Sequence, residues 1–501
     1  MTTLDADVVV VGAGPVGMAT ALGLAHHGVA SVLVERRPEP TPESKAFGVW
    51  GRTLEALDAW GLAEGLVAAG DPRDTIAPVA VETGRPIFAV DLGSLAAASA
   101  MPGFLVLPQS ATEAVLREAV EASPLVRMVR GEVTGVRQDD AAVAVAVASL
   151  DGDWTTLRAA YAVGADGARS VVRESQGVGT RGRSLAVGLL VCDVEVDGDD
   201  ALPPVVLAGE RPGLLAGLRF GRRRWRVLAS LEGRGPVTGD VRDELVRALF
   251  GDRAVRITWQ SETTPYQHRV PSFRLGRRIV LAGDSAHLVS PAGGQGMNQG
   301  IQDAESLAWS LAAALRADAA GDRAGADAML DGYARERERI ADVVARRARV
   351  NSALEFRTPP WLRPPAFLAM RVATRAPWFT RMLARRLSMR DLANRSRDSA
   401  RLAGGQRSGP VGRRVPDVTL PDGRRLSGAL AGRASLVAVG CEPPAAPPGL
   451  TVVRVEALPL GARLYRGDVA VVRPDRVVGA VLRRPSAEDL SAAVARALGR
   501  E

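Results

Sequence analysis

The 501-residue chain contains little cysteine and few aromatic residues. Its two cysteines, Cys192 and Cys441, form neither a CxxC pair nor a metal-binding pattern, which argues against a dithiol redox centre and a structural zinc site. They fit a reducing cytoplasm, and we expect no structural disulfide. Because aromatic residues make up only 4% of the chain, we expect an aliphatic lining for a ligand pocket.

Long apolar runs are also missing, since none approaches the roughly 18–20 residues of a membrane helix. The N-terminus carries Asp5 and Asp7 and has no basic segment before its apolar stretch. We therefore expect no integral membrane segment, no secretory signal and a cytoplasmic location. The hydrophobic fraction of 47% is enough for large cores, and the length predicts roughly three domains.

Lysine is nearly absent, because Lys45 is the only lysine among the 64 basic residues. The formal net charge is +8 and the sequence pI is about 10.4, which raises the question of nucleic-acid binding. The arginines are spread along the whole chain and accompany no RNA- or DNA-binding motif, so we expect no nucleic-acid partner. A basic surface would instead attract an anionic cosubstrate.

The first residues carry a nucleotide-binding signature. Four consecutive valines, typical of a buried parallel strand, lead into a GxGxxG turn formed by Gly12, Gly14 and Gly17. Gly12 permits the tight turn, Gly14 lets the backbone approach a pyrophosphate, and Gly17 lets the helix pack on the strand. Glu35 ends the second predicted strand about 20 residues later, where a ribose-binding acid belongs.

A second glycine-rich segment, residues 278–298, reads as a buried strand, an acidic turn and a glycine-rich bend that opens into a helix. Backbone N–H groups at such a bend, with the helix dipole behind them, suit an electron-rich ligand. Asp284 is placed to accept a hydrogen bond from a ribose-type hydroxyl. His287, three residues later, is expected to be a core histidine rather than a catalytic one.

The rest of the sequence indicates a capped helix, an inserted sheet domain, two amphipathic stretches and a C-terminal tail. Ser110 is predicted to cap a helix, with Glu113 closing a capping box. Residues 180–265 are strand-like with polar turns, which suggests an inserted sheet domain. Two basic amphipathic stretches follow Thr358, and we expect them to pack on the preceding domain rather than on a membrane surface. Residues 402–411 read as a linker to a small α/β tail.

Three motifs in this order resemble the flavoprotein aromatic hydroxylases, the group with the para-hydroxybenzoate hydroxylase fold. They are the glycine turn at 12–17, the pair Asp166-Gly167 with Ser170 and Arg173, and Gly283-Asp284 with the following bend. Residues 411–420 are similar to the start of the C-terminal domain in the aromatic polyketide and phenol hydroxylase subgroup.

The resemblance implies an α/β fold with a Rossmann-like FAD-binding domain, an inserted β-sheet substrate domain and a thioredoxin-like C-terminal domain. We assign residues 1–75, 105–178 and 266–400 to the FAD-binding domain with a helical extension. Residues 76–104 and 179–265 form the substrate domain, and residues 408–501 form the C-terminal domain.

The same resemblance implies an FAD- and NAD(P)H-dependent monooxygenase. It would hydroxylate a small-molecule aromatic substrate of the polyketide type, using NADPH and O2 through a C4a-hydroperoxyflavin, as a monomer or homodimer. Baeyer–Villiger oxidation, inactivation of an aromatic antibiotic, and flavin binding without turnover remain alternatives. A flavin halogenase is disfavoured, because none of the eight tryptophans forms a WxWxIP pattern.

Site residues are carried over position by position. The glycines and Glu35 would hold the ADP half of FAD, Asp166 would serve FAD and the approach of NADPH, and Asp284 would bind the ribityl or pyrophosphate region. No metal ligands are expected. The candidate cofactor-binding residues are Gly12, Gly14, Val16, Gly17, Glu35, Arg36, Lys45, Gln109, Val133, Asp166, Asp284, Pro291, Gly296, Met297 and Asn298.

Two departures from the family pattern matter. The family often has arginine where this chain has Lys45, and a lysine is a compact point charge rather than a planar fork. Lys45 is therefore a candidate for tuning the flavin-side loop, while the flavin itself carries the chemistry. The tail lacks CxxC, so Cys441 cannot form a dithiol couple and the tail should be structural.

Overall fold

The computed structural model describes residues 4–39, 46–149, 152–184, 188–198, 201–208, 213–231, 237–264, 266–289, 294–394, 409–430, 432–459 and 462–498. Two candidate site residues, Lys45 and Pro291, lie outside these ranges.

The strands before residue 180 are distributed over four sheets. They are β1 (Ala6–Val11), β2 (Ser31–Glu35), β3 (Gly48–Trp50), β4 (Asp71–Arg73), β5 (Thr75–Ile76), β6 (Val79–Ala80), β7 (Arg85–Pro86), β8 (Val90–Asp91), β9 (Phe104–Val106), β10 (Val126–Gln138), β11 (Val143–Ser149) and β12 (Trp154–Gly164).

The later strands belong to four sheets. They are β13 (Arg181–Ser184), β14 (Leu189–Val196), β15 (Val205–Leu207), β16 (Leu215–Gly221), β17 (Arg224–Ser230), β18 (Val255–Thr263), β19 (Tyr266–Arg269), β20 (Arg274–Leu275), β21 (Ile279–Leu281), β22 (His287–Leu288), β23 (Ser435–Val439), β24 (Thr451–Val455), β25 (Asp468–Val472) and β26 (Val478–Arg483).

The helices range from one turn to nearly ten. They are α1 (Pro15–His26), α2 (Gly51–Asp58), α3 (Ala63–Ala69), α4 (Gln109–Ala122), α5 (Val171–Ser175), α6 (Gly239–Phe250), α7 (Gly296–Ala319), α8 (Arg323–Arg357), α9 (Arg363–Ala373), α10 (Pro377–Leu387), α11 (Leu426–Leu430) and α12 (Ala487–Ala497), with 3₁₀ turns at Gly93–Ala98, Gly283–Ser285 and Pro360–Leu362.

The first sheet is the nucleotide-binding sheet predicted from the valine run. β1 pairs in parallel with β2 and β12, and β21 pairs in parallel with β12. The second half of β10 and the first half of β12 form an antiparallel meander with β11. Val8, Val9 and Val10 are fully buried, as expected for a strand covered on both faces. The carboxyl ends of β1, β12 and β21 therefore meet at one edge, where ligands bind in such sheets.

A second sheet has the strand order β18-β14-β17-β16-β15-β6-β7. Its core packs Leu190, Trp225 and Val227 against Leu249 and Phe250 of α6. β6 joins the sheet by pairing in parallel with β15, although more than 120 residues separate them in the chain. This connection places residues near 80 in the same layer as the strands after residue 188.

The tail forms a separate four-stranded sheet in the order β24-β23-β25-β26. β23 and β24 are parallel, whereas β25 and β26 are antiparallel to their neighbours. α12 covers one face through Leu490, Ala493 and Val494. This combination of a parallel and an antiparallel pair with packed helices agrees with the predicted thioredoxin-like architecture.

The two basic helices after residue 358 differ from each other. α10 buries Thr380 and Ala384 and packs Leu383 against a cluster containing Ile340 and Val344. α9 buries only Arg363, whose guanidinium donates to the Gly213 carbonyl (2.8 Å), and it leaves Leu368 and Val372 exposed. Within the described ranges, no helix combines the length and apolar character needed to cross a bilayer.

Candidate functional site

The turn between β1 and α1 contains three glycines with different surroundings. Gly12 has φ +98°, and a Cβ there would lie 2.6 Å from the carbonyl oxygen of Ala165. A Cβ on Gly17 would lie 1.8 Å from the Gly12 carbonyl oxygen. A Cβ on Gly14 would meet no protein atom within 4 Å. Gly12 and Gly17 therefore permit tight packing, whereas Gly14 borders open space that a pyrophosphate can approach.

Glu35 lies at the end of β2 beside this turn. Its carboxylate accepts hydrogen bonds from the backbone N–H groups of Ala13 (2.7 Å) and Arg37 (2.9 Å). The sequence prediction thus places the acid at the correct strand end and next to the glycine turn. Arg36 points to solvent and forms an exposed ion pair with Glu132 at 3.7 Å.

Asp166 follows β12, directly beside the glycine turn. The N–H group of Ala165 donates to the carbonyl of Val11 (2.9 Å), which fixes the two strand ends together. Asp166 Oδ2 accepts from the Val172 N–H group (3.1 Å), but its buried Oδ1 has no hydrogen-bond partner among the described residues. Burial raises the pKa of this carboxyl. An unpartnered buried oxygen at a ligand-binding edge fits a donor supplied by a ligand.

Arg173 connects this segment to the third motif. Its guanidinium is buried and donates to the carbonyls of Ser285 (3.2 Å) and Ala168 (3.0 Å). The ion pair with exposed Glu174, at 3.4 Å, is longer than either. Arg173 is therefore an internal bridge between two motifs rather than the partner of a surface acid.

The acidic turn after β21 packs against the same glycine turn. Gly283 has φ +64°, and a Cβ there would lie 2.9 Å from Val16 Cγ2. A Cβ on Gly300 of α7 would lie 2.5 Å from the same atom. Val16 thus fills the space between Gly283 of the acidic turn and Gly300 of α7. Asp284 is exposed at this edge of the sheet.

The start of α7 completes the edge. Asn298 is fully buried, and its side chain accepts from the Trp50 N–H group (2.8 Å) and donates to the carbonyls of Gly48 (3.0 Å) and Gly294 (2.9 Å). This amide fixes the helix start against β3. The backbone N–H groups of Gly296, Met297 and Asn298 occupy the first helical positions, where they have no intrahelical acceptor.

Gln109 and Val133 have different surroundings. Gln109 Oε1 accepts from the Ala46 N–H group (3.2 Å), and its Nε2 donates to Glu113 (2.8 Å). It therefore holds the residue that follows Lys45. Val133 is buried in the meander opposite Val147, within the core.

Ser110 lies inside α4, which begins at Gln109 with Pro108 as N-cap, so the capping box predicted at Ser110 is wrong.

Comparisons with known proteins agree with this geometry. The family model described as an FAD binding domain matches residues 5–348, more than half of the chain. The 12-dehydrotetracycline 5-monooxygenase/anhydrotetracycline 6-monooxygenase of Streptomyces rimosus subsp. rimosus is 32% identical over 471 residues, covering 88% of this chain and 86% of that protein.

The chain belongs to the FAD-dependent aromatic hydroxylase family. A 3-(3-hydroxy-phenyl)propionate/3-hydroxycinnamic acid hydroxylase of Burkholderia vietnamiensis is 30% identical over 453 residues, covering 88% of this chain and 80% of that enzyme. The solved structure of OxyS anhydrotetracycline hydroxylase from Streptomyces rimosus matches with a TM-score of 0.78 at 29% identity over 99% of both chains. The predicted family, fold class, FAD cofactor and monooxygenase activity are confirmed.

The sequence analysis missed a buried cluster of charged side chains in this hydroxylase, which lies behind the acidic turn. Asp303 Oδ2 lies 2.6 Å from His287 Nε2 and accepts from the Gly283 N–H group (3.1 Å), while Oδ1 accepts from Arg337 (2.6 Å). Burial alone would raise the pKa of Asp303, but Arg337 and His287 hold it below its ordinary value. His287 is thus a hydrogen-bonded core residue, as predicted, and it supports the turn that carries Asp284.

The sequence analysis also missed Arg226, which belongs to the second sheet. Arg226 on β17 is 1% exposed and forms a bidentate ion pair with Asp193 (2.7 and 2.8 Å). It also donates to the Ala46 carbonyl (3.1 Å), which joins the sheet to the segment after Lys45. The signal in the sequence was a charged residue between Trp225 and Val227, both of which are fully buried.

One cluster of aromatic side chains joins β3 and β9 to Phe220 of the second sheet. Four of the nine phenylalanines and Trp50 lie in one cluster, and a Cβ on Gly294, just before α7, would lie 3.4 Å from Phe47. This cluster therefore borders the start of α7. The phenylalanines are Phe47, Phe88, Phe104 and Phe220.

Proposed function

We propose that this monooxygenase uses NADPH and O2 to hydroxylate an aromatic, polyketide-type natural product. The observation that carries the proposal is the convergence of the glycine turn, the Asp166 segment and the Asp284 turn at one edge of the first sheet. Their spacing leaves open space at Gly14 and an unpartnered oxygen on Asp166, which together fit a dinucleotide cofactor.

Each candidate residue has a proposed task. The backbone at Gly12, Gly14 and Gly17 faces the pyrophosphate, and Glu35 accepts from the adenosine ribose. Asp284 binds the ribityl or pyrophosphate region, and the N–H groups at the start of α7 face the electron-rich end of the flavin ring. When bound, FAD supplies the oxygen-activating chemistry, and the protein binds, orients and excludes water.

The reductant is proposed to come from outside the protein. Cys192 is buried and Cys441 is unpaired, so this chain has no internal dithiol couple. The net charge of +8 favours an anionic donor, and NADPH carries an extra phosphate relative to NADH. Exposed Arg181 and Arg183 on β13 lie in the three-stranded sheet whose last strand, β22, begins three residues after Asp284. Unpaired cysteines also support a cytoplasmic location.

The substrate is proposed to bind between the first and second sheets. The aromatic cluster with Phe47 and Phe220 borders the helix start assigned to the flavin, and it offers flat apolar contacts to a fused-ring substrate. This position supports the division into an FAD-binding domain (1–75, 105–178, 266–400), a substrate domain (76–104, 179–265) and a tail (408–501). A fused-ring substrate also agrees with the name of the Streptomyces rimosus relative.

The test is a panel of aromatic polyketides and single-ring phenols incubated with the FAD-loaded protein, NADPH and ¹⁸O₂. We expect a fused-ring phenol to stimulate NADPH oxidation and to gain one ¹⁸O atom, read by mass spectrometry. Insertion of the oxygen into a C–C bond would instead support the Baeyer–Villiger alternative. Substrate binding without any coupled NADPH oxidation would refute the proposal.

A further inference from the structure

Exposed apolar side chains are concentrated in one short part of the chain. Seven of the thirteen large hydrophobic side chains that the structure exposes lie between residues 350 and 382. Trp361 is 74% exposed and Trp378 is 70% exposed. Large hydrophobic side chains grouped in this way mark an interaction surface more often than a solvated one. The seven are Val350, Trp361, Leu362, Leu368, Val372, Trp378 and Met382.

The sequence around these apolar side chains is strongly basic. Residues 343–390 contain eleven arginines and one acidic residue, Glu355. In the described part of the chain, no carboxylate lies within ion-pair distance of the five arginines that flank the exposed apolar side chains. Their charges are therefore available to an anionic partner. The five are Arg371, Arg375, Arg381, Arg385 and Arg386.

Within each of the helices α9 and α10, the helical spacing places the exposed apolar and basic side chains on the same outer face. In α10, Trp378 and Met382 are four residues apart, and Arg381 and Arg385 lie beside them. The buried side chains of the helix, Thr380 and Ala384, fall on the opposite face. In α9, Leu368 and Val372 have the same spacing, with Arg371 next to them. We call residues 361–386 the basic–aromatic patch.

We propose that the basic–aromatic patch binds the surface of an anionic lipid bilayer. Exposed tryptophan, leucine and methionine suit the boundary between headgroups and acyl chains, and the arginines suit anionic headgroups. A symmetric contact with a second copy would place like charges opposite each other, which disfavours self-association. A nucleic acid would use the arginines but would leave Leu368 and Val372 in water.

The experiment is vesicle flotation of the FAD-loaded full-length protein. Vesicles of phosphatidylcholine alone are compared with vesicles containing about 30% phosphatidylglycerol, at low and high salt. We expect binding to the anionic vesicles only, with weaker binding at high salt because screening shortens the range of the attraction. Equal binding to neutral vesicles, or no binding to either, would overturn the proposal.

Two double variants test the two components of the patch. Arg375→Gln with Arg381→Gln is expected to weaken binding about 25-fold, since each arginine near an anionic surface contributes about fivefold. Trp361→Ser with Trp378→Ser is expected to weaken binding by a similar factor. The matched controls are Arg127→Gln with Arg137→Gln, and Trp154→Ser, whose side chain is also 70% exposed but lies on β12.

The controls keep the result interpretable. Each variant must retain the flavin absorbance of the parent protein, which shows that the fold is intact. Loss of binding in the control variants as well would show non-specific adsorption and would contradict the assignment. A vesicle-independent doubling of mass in solution, abolished by Trp361→Ser with Trp378→Ser, would show that the patch is an interface between copies and would overturn the lipid assignment.

Discussion

At the residue scale, the turn after β1 places three glycines within six positions, and each is needed for a different reason. Gly14 has φ −71° and ψ 179°, which alanine adopts without strain, and a Cβ there meets no protein atom within 4 Å. Gly14→Ala is therefore expected to fold normally. Its methyl group would occupy the space proposed for the pyrophosphate and weaken FAD binding about tenfold or more, or about 1.4 kcal/mol. Fluorescence titration of the apoprotein with FAD measures this.

Two other glycines serve as controls for that substitution. Gly17→Ala should disrupt folding itself, because its Cβ would lie 1.8 Å from the Gly12 carbonyl oxygen. Gly179→Ala should change neither folding nor FAD binding, since its surroundings are open. If Gly14→Ala binds FAD as tightly as the parent protein, the proposed pyrophosphate position is wrong.

Lys45 lies outside the described residues, so its role is predicted from the sequence alone. A cation in the flavin-side loop can stabilise negative charge on reduced flavin or on a bound phenolate. Lys45→Arg is expected to retain most of the flavin reduction rate, whereas Lys45→Ala should slow it by roughly one to two decades, or about 1.4–2.8 kcal/mol of barrier. Stopped-flow reduction by NADPH at matched FAD occupancy provides the measurement. An unchanged rate in Lys45→Ala would remove this residue from the site.

At the scale of elements, Asp303 links α7 to α8 and to the turn that carries Asp284. Asp303→Asn would leave the guanidinium of Arg337, which is 1% exposed, without its charged partner. Removing one member of a buried ion pair costs about 3–5 kcal/mol. We expect that loss in denaturant unfolding, together with weaker FAD retention. The comparison variant is Asp342→Asn on α8, whose exposed pair with Arg269 should contribute less than about 1 kcal/mol. Equal effects of the two substitutions would contradict the argument.

Local patterns predicted the elements that depend on neighbouring residues. The valine run gave β1, and the glycine spacing gave the start of α1, because burial and turn geometry act over a few positions. The predicted helix start at Ser110 was too late in the chain, because Pro108 is the N-cap and Gln109 is the first helical residue. The pairing of Asp303 with Arg337 could not be read from the sequence either. Arginines occur along the whole chain, and no spacing distinguishes the buried ones.

The same limit applies to the candidate site. Motif spacing correctly indicated that Gly12, Asp166 and Asp284 follow strands of one sheet, whose carboxyl ends meet. It could not indicate that Arg226, from the second sheet, would reach the Ala46 carbonyl. That contact depends on how two sheets face each other, which residue periodicity does not encode.

At the scale of the whole molecule, the tail is attached to the FAD-binding part through buried charges. Arg473 forms a bidentate pair with Glu336 of α8 (2.7 and 2.9 Å). Arg414 bridges Glu305 of α7 (3.0 Å) and Glu55 of α2 (3.3 Å). These side chains have at most about an eighth of their surface exposed. The tail therefore supplies counter-charges to three buried carboxylates, which gives it a structural role.

This arrangement predicts that acid weakens the docking of the tail. Burial alone would raise the pKa of Glu55, but Arg390, Arg414 and Arg476 lower it from 4.5 to about 2. Because the folded-state pKa lies below the ordinary value, the stabilisation is fully present above pH 4.5 and is lost as the pH falls towards 2. The shift corresponds to about 3 kcal/mol.

Glu55→Gln removes this carboxylate and tests the prediction at neutral pH. Three arginines would lose a charged partner in a buried setting, so we expect destabilisation of about 3–5 kcal/mol and a flatter stability profile between pH 4.5 and 2. Hydrogen exchange should increase in both α2 and β26, because the interface opens as a unit. Asp422→Asn, which removes an exposed pair with Arg424 within the tail, should leave both readouts unchanged. Faster exchange confined to α2 in Glu55→Gln would mean that the substitution loosens one helix and that these charges do not hold the tail in place.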